Sequence, residues 1–310
     1  MSIRTSILLV LSLFAQTLMG PVSANEADAQ KRVAPGQLVD VGGFRLHIHC
    51  LGEGEPTIVL DSGTGGFSLE WRAVQKVISK QTRTCAYDRA GYGWSDMGPL
   101  PRTSKRIVNE LHTLLNKAMI PGPYILAGHS FGGFTAQYFA KQYPQEIVAM
   151  MLIDSSHPEQ VDRLPKKDNH TGRSFPEKSR TYTVARTVLH EHYPKETASL
   201  AYQLMSSWKY RFTLEEEMQS LPQSAIEIRE LGPMFPLPLV VLTRGKRVWP
   251  NNGFGDEMEK VWMQLQSELS ELSVNVVHLI AEDSGHSIHL DQPGLVITAL
   301  RDLLNTEALQ

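Results

Sequence analysis

The sequence has little of several features that would mark particular classes of protein. Only two cysteines occur among its 310 residues, so at most one disulfide can form within the chain. Lys and Arg form no block and the net charge is −3, which argues against nucleic acid or another polyanion as a partner. There is no internal repeat or low-complexity tract. The composition, with 42% apolar and 20% charged residues, is that of a folded soluble protein of one large or two small domains.

The one long apolar run stands at the N-terminus. Arg4 is followed by "SILLVLSLFAQTLMG" and then by "PVSA", which places Val22 and Ala24 at the −3 and −1 positions of a small-residue cleavage site. The run is shorter than the roughly 20 residues of a spanning helix. We predict that residues 1–24 are a cleaved secretory signal peptide and that the mature protein is secreted or periplasmic, with no stable membrane span. An uncleaved anchor is the alternative.

The rest of the chain alternates short apolar segments with amphipathic ones. Strand patterns such as "PTIVLDSG" and "IVAMMLIDSS" are separated by helical patterns such as "TSKRIVNELHTLLNKA". This alternation predicts an α/β fold with a mostly parallel sheet covered by helices on both faces. The rhythm breaks between residues 155 and 235, where helix-forming and charged residues dominate. We expect a helical cap there, inserted after strand 6 into a core of residues 25–154 and 236–310.

The stretch "YILAGHSFGGF" carries the strongest chemical signal. A lone G-x-S-x-G motif is weak, but here a strand precedes it and a helix follows it, as in a nucleophile elbow. Gly128 and Gly132 supply the small neighbours that a strained turn at Ser130 requires. A serine nucleophile needs a base, and the elbow predicts a histidine in the loop after the last strand. His286 in "EDSGHSIHLD" has that place.

Together, "LDSGTGG", "YDRAGYGWSD", "GHSFGG" and "SGHSIHLDQP" resemble, in order and spacing, the α/β-hydrolase fold superfamily over residues 37–307. The chain looks most like its single-cap esterase, proline-iminopeptidase and C–C hydrolase groups. The resemblance implies an eight-stranded sheet in which an antiparallel second strand lies beside the fourth. That order brings Cys50 and Cys85 together, so a disulfide is feasible; two buried free thiols are the alternative.

The resemblance also implies an oxyanion hole formed by backbone amides. We expect the donors to be the N–H groups of Thr64 and Phe131, with Gly65 one residue off and possible; a plain glycine turn is the alternative. Ser62 stands where many relatives have histidine. Gly63, Gly65, His129 and His157 are the expected substrate contacts.

The triad acid is open between two aspartates. Relatives that place it beyond the seventh strand would need a carboxylate near residues 248–250, and none is there. Asp256 comes later, where a helix N-cap explains it as well. Asp154 closes the sixth strand, a position that some members of the superfamily use. We favour Asp154, with Asp256 as the alternative acid.

These observations predict an exported serine hydrolase that acts on a small-molecule acyl substrate, with carboxylic esters first. Serine chemistry needs no organic cofactor, and His190 and His192 lack a third ligand for a metal. Related epoxide hydrolases and dehalogenases use a carboxylate nucleophile, so Ser130 argues against both. A proline-iminopeptidase-like aminopeptidase would need acidic cap residues such as Glu215, Glu216 and Glu217. A C–C bond hydrolase and a non-enzymatic ligand-binding protein of the same fold are also compatible with the sequence.

Overall fold

The computed structural model describes residues 33–165, 193, 195–234 and 236–306. Eight strands form one sheet: β1 Gln37–Asp40, β2 Arg45–Leu51, β3 Thr57–Asp61, β4 Thr84–Asp88, β5 Tyr124–His129, β6 Ile147–Ile153, β7 Leu239–Arg244 and β8 Val276–Ala281. Their order across the sheet is β1-β2-β4-β3-β5-β6-β7-β8. β2 pairs antiparallel with β1 and β4, whereas the pairs from β4 to β8 are parallel. The predicted α/β fold class is confirmed.

Ten α-helices are described along the chain: α1 Arg72–Ile78, α2 Ser104–Lys117, α3 Phe131–Gln142, α4 Gln160–Arg163, α5 Lys195–Met205, α6 Trp208–Gln219, α7 Leu221–Glu230, α8 Gly253–Leu269, α9 Ile288–Asp291 and α10 Pro293–Leu304. A 3₁₀ turn at Ser68–Trp71 leads directly into α1. Helices α4 to α7 lie between β6 and β7 in the sequence. The predicted cap boundaries, 155 and 235, stay a prediction.

The central strands of the sheet are buried on both faces, which explains their nearly continuous apolar character, whereas β1 and β8 at its edges are partly exposed. All residues of β3, β4, β5 and β7 are buried. One face packs against α2 and α3 through residues such as Leu111 and Phe139, and the other against α1 and α10 through Val74 and Leu300. In this arrangement the carboxyl ends of β3, β5, β6 and β7 meet at one edge, where the chemistry-bearing motifs also fall.

A disulfide joins Cys50 of β2 to Cys85 of β4. The two residues are direct partners in the antiparallel register, as the implied strand order requires. Cys85 is fully buried. The predicted pairing is thus confirmed. Closing a loop of 35 residues restricts the unfolded chain, and loops of this length contribute about 2–4 kcal/mol to stability.

Among the described residues, no helix combines the length and the apolar character needed to cross a bilayer. The predicted signal peptide lies outside the described residues.

Candidate active site

Ser130 occupies a strained turn between β5 and α3. Its backbone has φ 51° and ψ −118°, a conformation that non-glycine residues adopt rarely and that costs about 1–3 kcal/mol. Small neighbours permit it. A Cβ on Gly128 would lie 2.3 Å from the carbonyl oxygen of Gly132, and a Cβ on Gly132 would lie 2.5 Å from the carbonyl oxygen of Asp61. The elbow therefore depends on glycine at both positions, as the motif indicated.

The elbow is fixed to the neighbouring strand by backbone hydrogen bonds. The N–H of Ser130 donates to the carbonyl of Ile153 at 3.1 Å, and the N–H of Ser156 donates to the carbonyl of Ser130 at 2.9 Å. Phe131 is the first residue of α3, where backbone N–H groups have no partner within the helix and favour negative charge. The turn thus presents a hydroxyl beside a site suited to an anion.

His286 lies in the loop after β8, with its Nδ1 2.5 Å from Oδ2 of Asp154. The Asp154 side chain is fully buried, whereas the side chain of His286 is 39% exposed. The imidazole therefore contacts a buried carboxylate through Nδ1, while part of the ring remains exposed to solvent. Within the described chain, Ser130 Oγ and His286 share no hydrogen bond, and such contacts often tighten only when substrate binds.

Asp154 is held from several directions. Arg244 Nη1 lies 3.0 Å from its Oδ2, and the indole N–H of Trp262 donates to its Oδ1 at 2.9 Å. Burial alone would raise the pKa of Asp154. The hydrogen bond and charge of His286, then the charge of Arg244 and the hydrogen bond from Trp262, together outweigh that effect, so that the pKa is lowered. The carboxylate is thus stabilised in its ionised form.

Arg244, at the end of β7, is itself enclosed. Its guanidinium lies over the rings of Trp249 and Trp262, 4.6 and 5.2 Å from their centroids, and its Nη2 donates to Glu259 at 2.9 Å. Neither Arg244 nor Glu259 was among the site residues predicted from the sequence. The available signal was a charged residue closing the buried strand "LVVLTR", since a buried arginine requires a carboxylate partner.

Asp256, the alternative acid, lies elsewhere. It forms an exposed ion pair with Arg247, with Nη1 and Oδ1 2.7 Å apart. It is not the helix N-cap either, because α8 begins at Gly253 and the side chain of Asn252 accepts the N–H of Gly255. The structure brings Asp154, and not Asp256, to His286.

The loop after β3 approaches the elbow closely. A Cβ on Gly63 would lie 3.0 Å from the Cβ of Ser130, so this loop borders the candidate nucleophile. Ser62 is the serine that stands where the resemblance implied histidine. Its hydroxyl accepts the indole N–H of Trp71 at 2.9 Å in a buried contact. Gly65 has φ 79° and faces the cap, because a Cβ there would lie 2.8 Å from Oη of Tyr210. Thr64, one of the two predicted oxyanion donors, therefore lies on a loop that borders both Ser130 and Tyr210 of α6, whereas Phe131, the other, is the first residue of α3.

His129 lies beneath the site instead of opening towards substrate. Its buried ring packs between those of His286 and His289, with centroids 4.7 and 4.5 Å away. Its Nε2 lies 2.9 Å from the carbonyl oxygen of His286, so it supports the loop that carries that residue. Burial, followed by the charges of His289 and His286, holds the pKa of His129 well below its usual range, which keeps the ring neutral. The geometry does not support the predicted substrate contact.

His157 also departs from the prediction. Its Nε2 lies 3.9 Å from Oε2 of Glu268, and its Nδ1 accepts the backbone N–H of Glu159 at 3.1 Å. These three residues group closely enough to suggest a metal site. Arg163 already forms ion pairs with both carboxylates, with Nη1 3.0 Å from Glu159 and Nη2 2.8 Å from Glu268. We therefore interpret the group as an ion-pair cluster. His190 and His192 lie outside the described residues.

Comparison with known proteins places the chain in a family. The sequence model of the Alpha/beta hydrolase family matches residues 58–299, which is most of the chain. The chain belongs to this family.

Similar proteins agree with the fold. The uncharacterized protein YbdG of Bacillus subtilis (strain 168) is 33% identical over 145 residues, a match that covers 44% of this chain and 45% of YbdG. The enol-lactonase of Burkholderia xenovorans LB400 has a TM-score of 0.62 at 19% identity, with 87% of this chain and 100% of that chain covered. The epoxide hydrolase CorEH has a TM-score of 0.64 at 17% identity, with 86% and 97% covered.

The buried charge of Asp154 predicts a pH-dependent stability. The folded pKa lies below the usual value of 3.8, so the stabilisation is present above about pH 4 and is lost as the pH falls through the folded pKa. Asp154→Asn should lower the free energy of unfolding at pH 7 by about 3 kcal/mol, because it leaves a buried arginine underpaired. Urea unfolding at pH 7, 5 and 3 should show the difference from the natural protein shrinking at the lowest pH. An equal difference at all three values contradicts this account, and Asp256→Asn is the exposed control.

Proposed function

We propose that the protein is an exported serine hydrolase that cleaves carboxylic esters through an acyl-enzyme. The observation that carries the proposal is the 2.5 Å contact between His286 Nδ1 and buried Asp154, at the sheet edge where Ser130 stands on its strained elbow. Nucleophile, acid and base follow one another along the chain in the order expected of the elbow motif, with the acid after strand 6. Membership of the alpha/beta hydrolase family supports the coarser assignment as a hydrolase.

Each residue has a defined part in the proposed reaction. Ser130 Oγ attacks the ester carbonyl while His286 Nε2 accepts its proton, and Asp154 keeps Nδ1 protonated and stabilises the imidazolium. The amides of Phe131 and Thr64 stabilise the oxyanion, a contribution that can reach about 10²–10³-fold in rate for one donor. His286 then protonates the leaving alcohol. A water, deprotonated by the same imidazole, attacks the acyl group and releases the acid and Ser130.

The rival reactions have weaker support. One similar structure is an epoxide hydrolase, but the proposed nucleophile here is a serine hydroxyl, which suits acyl transfer better than epoxide opening. An aminopeptidase would use a cap carboxylate to bind an α-amino group. Glu217 is buried and paired with Arg89, so it offers no free charge, and Glu215 is exposed on α6. C–C bond cleavage and simple ligand binding need no feature beyond those the esterase already uses.

Covalent labelling provides the direct test of Ser130. The purified protein should react with a fluorophosphonate, because an activated Oγ attacks phosphorus and displaces fluoride. We expect Ser130→Ala to abolish labelling and Ser206→Ala, an exposed serine at the end of α5, to leave it unchanged. Labelling that persists in Ser130→Ala, or its absence from the natural protein, overturns the proposal. A panel of p-nitrophenyl esters and aminoacyl-anilides then distinguishes esterase from aminopeptidase.

The assignment of the acid makes a separate prediction. Asp154→Asn should reduce kcat on a p-nitrophenyl ester by about 10³–10⁴-fold, because the imidazole loses the partner that fixes its tautomer. Asp256→Asn should retain nearly full turnover, since Asp256 forms an exposed ion pair with Arg247 and not with His286. The reverse pattern would assign the acid to Asp256.

Export is proposed from residues 1–24 and is consistent with the Cys50–Cys85 disulfide, since such bonds persist in oxidising compartments. The full chain, produced in a bacterial host with a periplasm, should yield a periplasmic product. Its intact mass should equal that of a chain beginning at Asn25. Alkylation without reduction should modify neither cysteine. A product that stays in the cytosol with residues 1–24 attached would contradict the proposal.

A further inference from the structure

Arg89, in the turn after β4, is a buried cation that no step of the proposed ester cleavage uses. Its side chain is 1% exposed. Nη1 lies 2.6 Å from Oδ1 of Asp61 and donates to the carbonyl of Ser62 at 2.5 Å, while Nη2 donates to the carbonyl of Gly63 at 2.6 Å. The loop after β3, residues 62–66, carries the proposed donor Thr64 and is called the oxyanion loop. One guanidinium thus contacts the last residue of β3 and the first two residues of this loop.

The contact with Gly63 has a directional consequence. The carbonyl of Gly63 and the N–H of Thr64 belong to the same planar peptide unit and point in opposite directions. Holding that oxygen on Arg89 therefore fixes the direction of the Thr64 N–H on the other side. The same loop borders the nucleophile, because a Cβ on Gly63 would be 3.0 Å from the Cβ of Ser130. Arg89 is thus placed to set the orientation of a proposed oxyanion donor.

The opposite edge of the guanidinium binds the cap helix α6. Nε and Nη2 of Arg89 donate to the two carboxylate oxygens of Glu217 at 3.0 and 3.1 Å, and Glu217 is 1% exposed. The side chain of Thr64 lies close enough to Glu217 to counter part of the rise that burial causes in the pKa of that carboxyl. Such a two-pronged contact fixes geometry as well as charge. Glu217 is therefore linked to the oxyanion loop through Arg89 and lies near Thr64 of that loop.

Other residues of α6 hold the same turn. Lys209 Nζ donates to the carbonyls of Gly93 and Ser95 at 2.8 and 2.7 Å. Thr213 packs so closely on Gly91 that a Cβ there would lie 1.9 Å from its Oγ1. Lys209, Thr213 and Glu217 are four residues apart and so share one face of the helix. Glu217, the last of the three along the helix, is the residue that contacts Arg89 and so is linked to the oxyanion loop.

We propose that Arg89 and Glu217 are positioning residues, which orient the Gly63–Thr64 peptide for oxyanion stabilisation and make that orientation depend on α6. The inference rests on the proposed serine-hydrolase function. Its consequence is that the loss of Glu217 weakens transition-state binding while leaving ground-state binding of a short ester intact.

The test compares Glu217→Gln, Arg89→Lys and the natural protein on a short p-nitrophenyl ester. We expect Glu217→Gln to lower kcat about 10- to 100-fold with KM changed by less than about threefold. The inhibition constant of a trifluoromethyl ketone, which forms a tetrahedral oxyanion with serine, should rise by the same factor. That of the matching methyl ketone should not change. Glu230→Gln, an exposed carboxylate on α7, is the control.

The outcomes separate the two proposals. A natural protein without Ser130-dependent labelling refutes the serine-hydrolase function itself. If labelling and turnover are normal in the natural protein but Glu217→Gln behaves like it, the positioning role is wrong. An equal rise in the inhibition constants of both ketones also overturns it, because Glu217 would then affect ligand binding in general and not the stabilisation of the oxyanion. If Arg89→Lys fails to fold, the near-isosteric Glu217→Gln still decides, with its thermal unfolding measured alongside.

Discussion

The ionised carboxylate of Asp154 in a dry interior is the constraint on which the site depends. A buried charge is costly unless it is paired and hydrogen-bonded, and here Arg244, Trp262 and His286 all contact it. These partners come from β7, α8 and the loop after β8, so three separate segments of the chain contact one carboxylate at the end of β6. The orientation of the imidazole follows from that assembly and not from any local sequence preference around His286.

The elbow at Ser130 shows the complementary case, in which packing maintains a strained backbone. Close approach of β5, α3 and the end of β3 leaves no room for a side chain at Gly128 or Gly132. The same closeness brings the oxyanion loop to the nucleophile. Strain at one residue is thus maintained by contacts that also assemble the site, which is the usual way that a folded protein tolerates such a conformation.

The sequence allowed the strand order, the elbow and the Cys50–Cys85 pairing to be predicted, because motifs and periodicity are local and the family resemblance supplies the topology. Asp154 could be favoured but not decided, since a carboxylate closing a strand has the same local pattern whether or not it faces a histidine. Arg244 and the Arg89–Glu217 pair were missed for a physical reason. Their partners are 90 and 128 residues away, and only the packed fold brings them together.

The disulfide has a consequence for the oxyanion loop. Residues 50 to 85 form a covalently closed ring, and that ring contains β3, Ser62 to Gly66 and α1. The loop therefore begins and ends within a segment whose two ends cannot separate, even when neighbouring hydrogen bonds open transiently. If the edge strand β1 opens transiently, its neighbour β2 still cannot separate from β4, because a covalent bond joins Cys50 to Cys85. The peptide groups that would meet a developing negative charge are thus carried on a tethered part of the chain.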